Sequence, residues 1–249
     1  MIVKPSINNF KMAYQNFPRS YHSDFDCFWN WKNKIESEKD HILDSQNLDR
    51  TCQKLLSILK KWQYFRGPKS KEKPHKNLKV ALSNISDEYA IIRNLTLLEI
   101  EKFPYESFHI IWQELGNMKT LADEASSQQP LVISICKPLM LIWGQTLAFD
   151  TKVRNNFTRD QDIRKLNKYR WSLNEWFYSL YLCNKLLNEN EEFKYYLTNC
   201  SVKKYRKKGP VPFGRLLDIY YFTPGKEASL KKCGIRSDNS PSNDSSGIV

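Results

Sequence analysis

Apolar residues recur at threes and fours along most of the chain, and that spacing predicts helices. Phe25, Phe28, Trp29 and Ile35 follow Ser23 and Asp24, either of which can cap a first turn. Leu48, Cys52, Leu55, Leu56, Leu59 and Trp62 predict a helix over about 47–65, stopped by Gly67-Pro68. Further helical segments are expected near 78–85 and 91–100. Pro104 then breaks the pattern before the strip Phe108, Ile111, Trp112 and Leu115, which Gly116 should end.

The second half reads the same way. Residues 131–143 are strongly apolar and interrupted by Lys137-Pro138. Proline is favoured in a helix's first turn, so a short buried helix is expected to begin there and end at Gly144, with another opening after Asp150. Trp176, Leu180, Cys183 and Leu187 share one side of a helix over 171–187, and Phe193, Tyr196 and Leu197 mark one over 191–200. A last helix is expected within 210–222, where Arg215 and Asp218 can pair three residues apart. Few β-branched runs alternate with polar residues, so the predicted fold class is all-α.

The polar connector at 122–129 divides the chain into expected lobes 1–121 and 122–223. From 224 onward Ser, Asn, Asp, Pro and Lys dominate, and that tail has too little apolar surface to fold. With 41% of 249 residues hydrophobic, the remainder can build one large domain or two small packed lobes.

Charge narrows the partners. Thirty-nine Lys and Arg against 27 Asp and Glu give +12, which favours a polyanion such as nucleic acid or an acidic membrane surface. Lys69, Lys71, Lys73, Lys76 and Lys79 surround Pro74 in a stretch that either touches phosphates or is a solvated connector. Lys203, Lys204, Tyr205, Arg206, Lys207 and Lys208 form the densest cluster; it can bind a phosphate backbone and stack one base, or serve as a linker or nuclear-import signal. No run approaches the roughly 20 apolar residues of a membrane span, and the first ten residues lack a secretion signal's apolar core. A cytoplasmic protein is expected, or a nuclear one in a nucleated cell. The six cysteines form no CxxC pair and the four histidines are dispersed, so neither a metal nor a cofactor is expected.

The densest chemistry lies in Leu139–Arg154, an apolar segment closed by Gly144, a short turn, then Asp150 opening a cationic helix. One carboxylate thereby sits at the positive end of a helix, with Lys152 and Arg154 beside it. Asp150 can simply start that helix, a role worth roughly 0.5–2 kcal/mol, or it can carry chemistry.

Leu147-Ala148-Phe149-Asp150-Thr151-Lys152-Val153-Arg154 resembles the apolar, Asp-Thr, x, Val/Ile, Arg sequence of the helix-hairpin-helix, endonuclease III-like DNA glycosylases. The resemblance covers roughly twenty residues. It implies a two-lobed helical domain, a base turned out of the duplex into a pocket, and Asp150 as the catalytic residue stabilising an oxocarbenium-like sugar or activating water. It also implies DNA as partner, with Lys152 and Arg154 holding adjacent phosphates, and it requires no metal; Lys137 and the 203–208 cluster are further candidate nucleic-acid contacts. The family's Leu-Pro-Gly-Val-Gly hairpin is missing, since 131–137 contains no glycine, and so is the C-terminal iron–sulfur cysteine cluster of some members. Two alternatives stand beside excision of a base: nucleic-acid binding without catalysis, and a basic helical protein that docks on an acidic protein or membrane.

Overall fold

The structure is a computed structural model that describes residues 5–62, 64, 74–120, 131–161, 163, 170–204 and 211–222. Among the described residues the fold is all-α: α1 Ile7–Asn16, α2 Arg19–Ile35, α3 Ser45–Lys61, α4 Pro74–Asn84, α5 Ser86–Ile92, a 3-10 turn Leu97–Lys102, α6 Tyr105–Thr120, α7 Val132–Ile142, α8 Thr151–Asp160, α9 Leu173–Asn188, α10 Glu191–Lys204 and α11 Phe213–Phe222. The one β-type pairing among them is an isolated bridge between Leu131 and Arg170.

Local chemistry sets four of the helix starts among the described residues. Ser6 caps α1 by accepting the Asn9 amide at 3.4 Å. Capping boxes open two elements: Thr96 with Glu99 for the 3-10 turn, and Ser172 with Glu175 for α9. Residues 91–100, expected as one helix, instead hold the end of α5 and the start of the 3-10 turn, because the chain turns at 93–96. Gly116 does not stop α6, which continues to Thr120.

The largest departure is α7. It begins at Val132, so Pro138 lies in its interior rather than its first turn. Proline has no N–H for the carbonyl four residues back, which is that of Ser134. The Tyr64 hydroxyl takes that acceptor at 2.6 Å, and the buried carbonyl is satisfied from outside the helix.

One hydrophobic cluster runs from Phe10 to Tyr221, taking residues from 1–121 and 122–223 alike. At its centre α7 packs on α2, α3 and α6, while α11 lies against α1 and α8. Trp143, Phe108 and Trp176 join these layers through ring contacts of 5.1 to 6.5 Å. Residues 134–149 are buried without interruption. The expected tail from 224 lies outside the described residues.

Candidate functional site around Asp150

The chain leaves α7 as a buried, non-helical loop, so its backbone groups need partners from elsewhere. The surrounding helices supply them. Tyr89 donates its hydroxyl to the Ile142 carbonyl at 3.0 Å, and the Arg215 amide donates to the Gly144 carbonyl at 3.1 Å. Trp143 Nε1 donates to the carbonyls of Ile92 and Leu95 at 3.0 and 3.1 Å. Gln145 Oε1 accepts the Leu97 amide at 3.0 Å, and Thr146 Oγ1 accepts Trp176 Nε1 at 3.0 Å. Four elements, α5, the 3-10 turn, α9 and α11, thus grip one loop.

Two glycines allow that contact. Gly144 has φ +79°, and a Cβ there would meet Pro212 Cγ at 2.4 Å. A Cβ on Gly214 would meet the Gln145 carbonyl carbon at 2.3 Å, so α11 starts directly on the loop backbone.

The last contact is polar and buried. Asp218 Oδ1 accepts the Ala148 amide at 2.9 Å, and its Oδ2 accepts Arg215 Nη1 at 3.0 Å. Arg215 is 2% exposed, lies 4.7 and 4.8 Å from the rings of Phe17 and Phe25, and donates Nη2 to the Tyr21 carbonyl at 3.2 Å. Burial pushes the Asp218 carboxyl up to about 6, against the opposing pull of Arg215, and the charge of Asp150 adds to the rise. The Ala148 amide and the Lys137 charge act in the other direction. Asp218 therefore feels both Asp150 and Lys137.

Asp150 caps α8. The amides of Lys152 and Val153 both donate to Oδ1, each at 3.0 Å, and no described group bonds Oδ2. Its carboxylate is half-buried at the surface end of the loop. Just before it, Phe149 has φ +46°, alone among described non-glycine residues in being positive. A bulky residue there stores strain, and Phe149 is held by Phe157 and Trp171 at 5.5 and 4.7 Å between ring centres.

The cations expected beside Asp150 separate. Lys152 is exposed, with Nζ 4.8 Å from the centre of the Phe222 ring. Lys137 and Arg154 do not reach outward as expected. Lys137 is 8% exposed and donates Nζ to the Trp62 carbonyl at 3.1 Å, because α7 is central and its whole circumference is covered. Arg154 is 3% exposed and turns back to the Phe149 carbonyl at 3.5 Å. Lys203 and Lys204 are the last residues of α10, while Tyr205, Arg206, Lys207 and Lys208 lie outside the described residues.

The sequence reading overlooked the polar ring that holds the loop. Its signal was present only in part, as the Arg215 and Asp218 spacing. Among the described residues no three His, Cys, Asp or Glu side chains form a metal-binding group, and no helix is long and apolar enough to cross a membrane. Compared with protein-family models, curated proteins and solved structures, the chain matches none.

Proposed function

We propose that this chain binds nucleic acid through its phosphate backbone, in the cytoplasm or, in a nucleated cell, the nucleus. The observation that carries the reading is where its cationic stretches join the described body. Tyr64, which bonds Ser134, is followed by Arg66, Lys69, Lys71 and Lys73. Arg170, which pairs with Leu131, is preceded by Arg164, Lys165 and Lys168. The described residues that adjoin these two Lys/Arg-rich stretches, Tyr64 and Arg170, thus both meet the start of α7. A polyanion bound by such cations releases counterions, which supplies sequence-independent affinity. The test is retention of labelled duplex and single strands at low salt; loss of retention when Lys69, Lys71, Lys73, Arg164, Lys165 and Lys168 are changed to Gln is the expected result. Retention unchanged in that variant would remove its basis.

A second reading, excision of a base at Asp150, is favoured by one specific feature. The helix end is anchored by Oδ1 alone, leaving Oδ2 open beside a strained Phe149 and an exposed Lys152. A carboxylate so held can stabilise an oxocarbenium-like sugar or activate water without giving up its cap. Duplexes carrying uracil, alkylated, oxidised or mismatched bases, treated with alkali after incubation, test it. Base release by the native chain and none by Asp150→Asn is expected on this reading, and an uncut panel leaves binding alone.

A further inference from the structure

The described residues carry a second cationic surface, along α3. Arg50, Lys54, Ser57 and Lys61 recur at intervals of four, three and four, so they share one face, opposite the buried Leu48, Cys52, Leu55 and Leu59. At 1.5 Å per residue this row spans about 16 Å. Across from it α2 supplies Trp31, with Lys54 Nζ 5.2 Å and the Arg50 guanidinium 5.8 Å from its ring centre. Exposed Lys34 and Lys60 flank the row on α2 and α3.

Of the row's three cations, Arg50 and Lys54 are not neutralised by their own fold. Lys61 pairs with Asp24 at 2.8 Å, and Asp49 is turned away to Lys79 at 2.7 Å. Arg50, Lys54, Lys60 and Lys34 pair with no described carboxylate. Like charges on successive turns cost a few tenths of a kcal/mol per pair, so such a row weakens the free protein slightly. Trp31 compensates in part: cation–π attraction, about 0.5–1 kcal/mol at exposed sites, holds two long side chains side by side. Cations ordered beforehand lose less freedom when they meet a ligand.

We propose that this face of α3 is a second phosphate-contact surface, with Arg50 and Lys54 as its phosphate-binding side chains and Trp31 as the residue that positions them. The inference rests on the nucleic-acid reading above and gives that reading a described surface. Arg50 and Lys54 lie four residues, about 6 Å, apart along α3, a spacing that lets the pair take two neighbouring phosphates of one strand. The contact is to the backbone and independent of base sequence.

Arg50→Gln/Lys54→Gln tests the proposal in the full chain, because both side chains are on the surface and the variant keeps the core. Lys102→Gln/Lys185→Gln, cations paired with Glu99 and Glu189, is the control. The expected result is a slope of log K against log salt shallower by about 1.8 on duplex or about 1.4 on single strands, with the control equal to the native chain. Protection of Lys54, but not Lys102, from an amine acylating reagent by bound DNA gives the same answer without any substitution. Native binding with an unchanged slope in the test variant and no protection of Lys54 overturns the surface while leaving the nucleic-acid reading in place. A native chain that binds neither strand form overturns both.

Discussion

The carboxylate of Asp218 holds the amide of Ala148 at 2.9 Å, so the last described helix fixes the peptide two residues before Asp150. Its other oxygen holds Arg215, and the pair is buried together. Removing one member of a buried ion pair leaves the other charge unpaired, at a cost of about 3–5 kcal/mol. Asp218→Asn should therefore lower the melting temperature by roughly 6–20 °C for a chain of this length. Arg215→Met/Asp218→Leu should recover part of that loss, since it removes both charges. Thermal unfolding of the two variants checks it, and a double variant less stable than Asp218→Asn would contradict the assignment.

Acid should destabilise the chain through His22. Burial, with the Arg215 charge adding to it, pulls this imidazole down to about 4 from 6.5. Between those values the unfolded chain takes up a proton that the folded one refuses, so stability falls as pH drops from about 6.5 to about 4. His22→Gln removes this effect. The melting temperature of the native chain, minus that of the variant, should therefore fall steadily from pH 6.5 to pH 4. Parallel curves would contradict it.

Burial separates two lysines that the sequence treats alike. Lys137→Met should change thermal stability but leave the salt slope of nucleic-acid binding untouched, because its ammonium is bonded to the Trp62 carbonyl inside the protein. Lys152→Gln should leave thermal stability nearly unchanged, since that side chain is exposed. Thermal unfolding of both variants and a salt titration of Lys137→Met decide, and a shallower slope for Lys137→Met would mean that the lysine leaves its internal partner.

Periodicity sufficed for the all-α class because the spacing in α3 and α9 is strong. Leu48, Cys52, Leu55 and Leu59 are all buried, as are Trp176, Leu180, Cys183 and Leu187. It failed where tertiary contacts replaced local signals. Pro138 reads as a helix start until Tyr64, far away in sequence, supplies the missing donor to Ser134. α1 has no counterpart in the periodic reading, since just Phe10 and Ala13 of its residues are buried, and α5 is met by it only at its last two residues. At the candidate site, the Asp150 cap was legible because Asp followed by a polar helix is a local pattern. The inward turn of Lys137 was not, because a helix covered all round carries no polar face to read, and that of Arg154 was not, because on α8, exposed along one side, only its tertiary bond back to the Phe149 carbonyl turns it in.

Recognition of nucleic acid by charge can be tested in the native chain alone. Anisotropy of a labelled duplex and of a labelled single strand, measured across a series of potassium chloride concentrations, gives log K against log salt. The account predicts a straight line of negative slope, about −0.9 per neutralised duplex phosphate and about −0.7 on single strands, with no dependence on base sequence. A chain that leaves both probes unbound at low salt, or that binds them with no dependence on salt, would contradict it.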